Sequence, residues 1–339
     1  MTRCLSLLAA AAASLTVHAG AQAQSSVQLY GLLDMSAGSF QAPGTARVWR
    51  ADSGGMTTSF LGFRGTEDLG GGLRAKFAIN HFLRADSGAA GRFDGDAFWA
   101  RDAYVGLSGA FGTSTLGRNT TPLFVSTLLF NAFGDSFAFS PSIRQLFTPV
   151  VAPFYGDSGW NNSLAYASNE NEGLTVNLIG ALGEGAPNAS GKNMGASLLY
   201  FNGPLGATAA WQKVRNGTFA APAGWGGQTT WQLGLSYDLT AAKLFGQYTE
   251  IETNAAQKYK IKLWSLGAAV PVGSAGKLLA QFGSSRVQGL PGGLTHETLS
   301  LGYDHMLSKR TDAYAVFMRE RVSGLGSGNS AAAGVRLRF

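Results

Sequence analysis

Beyond the first two dozen residues, the side chains best suited to proton transfer or metal ligation are His81, His296 and His305. His296 stands in "THE" and His305 in "YDHM", each beside an acid. Neither has an activated serine next to it in sequence, and no two histidines share the His-x-x-x-His spacing of a helical ligand pair. "GGGL" after "TEDL" matches neither GxGxxG nor a phosphate-binding loop, and no helix follows it, so it reads as a tight turn. These residues assemble no catalytic set, metal site or cofactor site, and the chain reads as no enzyme. The patterned chemistry is instead charge at alternate positions. Lys258, Lys260 and Lys262 form a basic ladder, and Arg319 and Arg321 form another. On the polar face of a strand such side chains would line water, as a lumen wall that attracts anions or as a site for lipid phosphates near a rim.

The elements that carry these charges are strands. In "TWQLGLSYDL", Trp231, Leu233, Leu235 and Tyr237 take one parity and Gln232, Ser236 and Asp238 the other, the period-two signature of a two-faced strand. "VQLYGLLDM", "GLTVNLIGAL", "ETLSLGYDHM", "DAYAVFMRER" and "AGVRLRF" repeat it. Very short connections such as "DLGGGL", "FNGPLG" and "DLTAAK" alternate with longer polar ones, including residues 41–55, 86–96 and 322–330. That alternation is expected of an antiparallel meander with tight turns on one rim and elaborated loops on the other. Sixteen strands are predicted, with three of the starts near 57, 97 and 330. "KYKIKLWSLGAAV" breaks parity once: Tyr259, Ile261 and Leu263 give way to Trp264, Leu266 and Ala268. A β-bulge or a change from wall to rim would each produce this slip.

Arg3, the apolar "CLSLLAAAAASLTV" and the small-residue site "AQA" read as a secretory signal peptide over residues 1–23. The remainder, 24–339, forms one domain. Its one cysteine, Cys4, falls in the leader, so cleavage excludes disulfide and thiolate chemistry from the mature chain. The mature charge is 25 basic (26 less Arg3) minus 20 acidic, about +5. Nucleic acid is not expected as the partner of an exported chain, whereas anionic solutes in a confined space are. Charged residues make up 14% of the sequence, against roughly 25% in a typical soluble domain. A soluble sandwich would bury the mid-strand charges at high cost. A transmembrane antiparallel β-barrel places them in water and turns the apolar parity to lipid. Trp99, Trp211, Trp231, Tyr237, Trp264 and Tyr303 near strand ends suit its interfacial girdles. The fold class is therefore all-β, a transmembrane antiparallel barrel of sixteen strands.

"SSVQLYGLLDMSAG", "LGFRGTEDLGGGLRAKF", "RDAYVGLSGAFGTSTLGRNTTPL", "LGYDHMLSKRTDAY" and the terminal Phe339 resemble the Gram-negative general porins, most closely the anion-selective β-proteobacterial branch. The resemblance implies a homotrimer whose third external loop folds into each lumen, here about residues 119–160. It also implies passive diffusion of small hydrophilic solutes, contact with outer-membrane lipid and lipopolysaccharide, and delivery by the barrel assembly machinery, with Phe339 as its signal. No cofactor is implied. A wall of arginines facing the loop is the family's constriction, and Arg101 matches one of them. Arg118 in "LGRN" and Arg74 in "GLRAKF" lie on nearby strands, and Arg144 lies in the loop.

Two departures stand out. Phe60 occupies a position where relatives often carry arginine, and Asn80 one where they often carry glutamate. The loop has only Asp135 and Asp157 as acids but is rich in aromatics from Phe124 to Tyr155. Excess basic groups at the constriction imply a mild anion preference, unless Glu67, Asp68 and Asp102 neutralise them. A solute-specific channel for anionic or aromatic molecules and a blocked structural or adhesive barrel are the alternatives.

Overall fold

Period-two alternation resolves into a single antiparallel sheet that closes on itself in the computed structural model, which describes residues 26–148, 152–183, 192–217 and 220–339. The predicted leader lies outside the described residues. The strands are β1 (Ser26–Phe40), β2 (Val48–Ser53), β3 (Phe60–Gly70), β4 (Leu73–Arg84), β5 (Ala89–Ala90), β6 (Asp102–Gly109), β7 (Gly112–Thr120), β8 (Gly159–Ala167) and β9 (Leu174–Ala181). They continue as β10 (Asn193–Asn202), β11 (Leu205–Val214), β12 (Gly227–Asp238), β13 (Lys243–Asn254), β14 (Tyr259–Val272), β15 (Gly276–Gln288), β16 (Thr295–Met306), β17 (Thr311–Val322) and β18 (Gly326–Arg338). β2 and β5 are short pieces within the first two long loops, and the other sixteen strands build the wall. β1 pairs with β18, Leu33 opposite Leu337, and Gly31 and Phe339 exchange backbone hydrogen bonds of 3.1 Å. Closure leaves the sheet without an edge.

The two faces are opposite to those of a soluble domain. On β12, Trp231, Leu233, Leu235 and Tyr237 are 44–61% exposed on the outside, while Gln232 and Ser236 are buried inside. Trp99, Trp264 and Tyr303 are also exposed. Trp231 lies opposite Trp211, with ring centroids 6.0 Å apart. Such amphipathic rings suit a membrane–water boundary.

Three strand starts shift from expectation. β3 begins at Phe60 because residues 54–59 turn into the barrel interior, where Gly54, Gly55, Met56 and Ser59 are buried. The second loop runs on to Arg101 before β6. β18 begins at Gly326 after a tight turn, not the long loop expected over 322–330. "GSGNSAAAG" has no large apolar side chain to reveal its alternation.

β14 carries no bulge. Its register with β13 and β15 is unbroken from end to end. Tyr259, Ile261 and Leu263 are apolar because they face inward onto a core that includes Leu123, Leu146 and Val287. Lys260, Lys262, Trp264 and Leu266 share the outer face. The parity of the apolar residues changes because the apolar environment changes sides, from lipid to an internal loop.

Candidate functional site

That internal loop joins β7 to β8 across residues 121–158. It contains two short helices, α1 (Pro122–Leu129) and α2 (Pro141–Phe147), each with proline in its first turn. Thr121 and Ser140 cap them by accepting the backbone N–H of Phe124 and Ile143. The loop lies against the inner faces of β10 to β17. Ser126 bonds Thr208 at 2.9 Å, Gln232 donates to Thr127 at 2.9 Å, and Ser142 bonds Ser265 at 2.8 Å. Gln145 donates to Gly283 O and Thr298, and Ser300 donates to Phe139 O at 2.6 Å. These inward Ser, Thr and Gln side chains satisfy a loop that would otherwise strand its backbone polar groups. Where the loop lies closest, the wall carries glycine. A Cβ on Gly234 would sit 3.0 Å from Phe130, and one on Gly302 3.1 Å from Phe133.

The opposite wall, β3, β4 and β6, keeps its distance and carries free cations. The Arg101 guanidinium lies 3.9 Å over the Phe60 ring and makes no ion pair among the described residues. A cation–π contact of this kind holds the side chain, at about 0.5–2 kcal/mol, without cancelling its charge. Phe60 is thus the platform for Arg101. Arg64 donates twice to Gln28 and lies 4.5 Å over Tyr30, also without an acid partner among the described residues. Buried Asn80 accepts from Tyr30 Oη at 2.7 Å and donates to Asp102 at 3.1 Å. Lys76 and Arg74 continue the inward row, again without ion pairs among the described residues. Arg74 opposes Asp68 beside the short β3–β4 turn, six residues from Asn80 and about 20 Å along the strand, so it belongs to the short-turn mouth rather than the narrowing.

The other two arginines are neutralised, though not by Glu67, Asp68 or Asp102. Arg144, on α2, makes a bidentate pair with Glu320 of β17 at 2.9 and 2.7 Å. Arg118 stands at a register shift in β7, where it donates to Ala100 O, Asn161 and Asp157. Asp157 also accepts from Arg92, which is held by Asp96 as well. Burial opposes charge on Asp157, but Arg92 and Arg118 overcome it and hold the carboxyl below its ordinary range. Arg92, in the second loop, was not singled out from sequence, where nothing marks it among other loop arginines. The loop tip ends on Asp135, which accepts from Thr57 at 3.0 Å, while Ser136 donates to Gly55 O at 2.6 Å. Residues 55–57 are fixed in turn by Asp34, which accepts from the Met56 and Thr57 N–H groups at 2.7 Å. Burial pushes the Asp135 carboxyl up, against the pull of Thr57 and Arg101.

The basic ladders are not in the lumen. Lys260 and Lys262 point outward with Trp264, and Lys260 pairs with Glu250 at 2.7 Å. Arg319 and Arg321 share the outer face of β17 with Phe317, while Glu320 between them faces in. Lys258 sits in the short β13–β14 loop beside this outer rim. Charge on one parity is ambiguous in sequence because both the lumen and the headgroup region accept it. Trp264 of β14, exposed on the lysine parity, decides it.

A Gram-negative porin family model matches residues 8–325. Outer membrane porin protein 32 of Delftia acidovorans is 32% identical over 330 residues, covering 90% of this chain and 86% of that protein. An outer membrane porin protein of Bordetella pertussis is 27% identical, covering 97% of this chain and 98% of that one. Among solved structures, an anion-selective porin from Comamonas acidovorans superposes with a TM-score of 0.77 at 25% identity, covering 93% of this chain and all of that one.

Proposed function

The chain belongs to the Gram-negative porin family, an outer-membrane channel fold, and from that premise we propose a passive diffusion pore with a mild anion preference set at its constriction. The observation that carries the reading is the asymmetry across the lumen. Arg101, Arg64 and Lys76 stand on one wall with no acid partner among the described residues, while the facing loop's acids, Asp135 and Asp157, are hydrogen-bonded or ion-paired. Solute moves through water, and the lining charge sets which ions concentrate there. The Comamonas porin that shares this fold is itself described as anion-selective.

Assembly is part of the proposal. The outer face across β1 to β8 holds a concavity of about 640 Å³ lined by Val27, Phe77, Val105, Leu116 and Leu164, suited to packing against further copies in a homotrimer. Phe339 at the closing seam would serve as the signal to the barrel assembly machinery. Lys260, Lys262, Arg319 and Arg321 lie on the outer surface, where phosphates of outer-membrane lipid and lipopolysaccharide would meet them.

Reconstitution into planar bilayers and liposomes tests the function. The expected result is stepwise KCl conductance with sugar uptake graded by size. Absence of any conductance would favour a blocked structural barrel, and saturable uptake of one solute class would favour a specific channel.

A further inference from the structure

The inward loop's phenylalanines form two sets. Phe130, Phe133 and Phe139 are 0–2% exposed and pack on the barrel wall. Phe137 and Phe147 are only half-buried and face a cavity of about 1260 Å³ on the long-loop side. They are backed by Phe124, stacked 5.8 Å from Phe137 and edge-on 5.1 Å from Phe147, and by Phe154, edge-on 5.2 Å from Phe147. Wall packing explains the first set and leaves the second unexplained, because phenyl faces turned to a water-filled passage forfeit their burial.

Across the same cavity stand Arg50 and Arg84. Each is paired with one acid that is itself open to solvent: Arg50 with Asp52, side chains 51% and 32% exposed, and Arg84 with Asp94, 28% and 93% exposed. Pairs this exposed contribute little and exchange readily for another carboxylate. Arg92 and Arg144 also line the cavity, but their acids Asp157 and Glu320 are far better buried. The cavity therefore has an aromatic floor and two exchangeable guanidinium groups on its rim.

We propose that this vestibule is a transient binding site for planar aromatic carboxylates, the ring on Phe137 and Phe147 and the carboxylate on Arg50 or Arg84. The proposal rests on the diffusion-pore reading and names a solute class that such a pore would concentrate. Aromatic stacking favours a flat ring over a puckered one of equal charge, so the probes are benzoate and cyclohexanecarboxylate.

Single-channel recording in KCl with each probe added is the test. Benzoate is expected to block the open current at concentrations severalfold below those cyclohexanecarboxylate needs. Phe137→Leu with Phe147→Leu should weaken benzoate block by about tenfold, the value of losing two ring contacts, with KCl conductance retained. Equal block by the two probes in the unaltered protein, or unchanged benzoate block in the double variant, would overturn the site. Should the variant fail to form channels, the comparison of probes on the unaltered protein still decides. A protein with no KCl conductance at all would overturn the pore reading itself.

Discussion

Charge at single residues sets the lumen's field, and of the inward loop's two acids Asp135 is the one whose pKa is raised. Burial raises its pKa, so it loses charge as pH falls while ordinary exposed carboxylates, with pKa near 4, are still ionised. Each proton taken up removes the carboxylate facing Arg101. Anion preference should therefore rise as pH falls, before exposed carboxylates begin to titrate, and Asp135→Asn should lack that rise. A reversal potential independent of pH in the unaltered protein would contradict this. Sequence singled out Arg101 and Phe60 separately. Their relation was not legible there, because a cation–π contact between β3 and the end of the second loop leaves no spacing in the sequence.

At the scale of elements, the loop is held by many modest bonds and by ion pairs at Asp157 and Arg144. Arg144–Glu320 is bidentate, with the Glu320 side chain 1% exposed. Removing one partner of such a buried pair costs on the order of 3–5 kcal/mol. Glu320→Gln should loosen the loop from β17, seen as larger and noisier single-channel current, and Gly302→Val should act in the same direction by displacing Phe133. Unchanged current in both would show that the loop is not fixed by this docking. Conversely, Lys260→Gln with Lys262→Gln should leave the reversal potential unaltered, since those side chains lie outside the barrel. Most strands were readable to within a few residues because lipid and water impose opposite demands on alternate positions. The exceptions had physical causes. β18 opens on small residues, residues 54–59 leave the wall to meet Asp34, and the upper half of β14 packs apolar side chains on the loop instead of on lipid.

The whole molecule is an inside-out arrangement with one wall left charged. Its apolar outside, polar inside and sealed β1–β18 seam follow from a pattern visible along the entire chain. What no local pattern could reveal is which lumen charges remain unpaired, since the partners are strands or loops apart, as Arg144 and Glu320 are separated by 176 positions. If three barrels assemble, reconstituted current should appear in three equal steps, and a single step per insertion would contradict the trimer. The preference for anions is the central claim, and the reversal potential in a KCl gradient reads it directly. One unit charge about 5 Å away in water is worth roughly 0.8 kcal/mol, so a lining arginine changes local anion occupancy by about fourfold before salt screens it. The unaltered protein should show chloride preference that falls on Arg101→Gln. Cation preference in the unaltered protein would contradict the account.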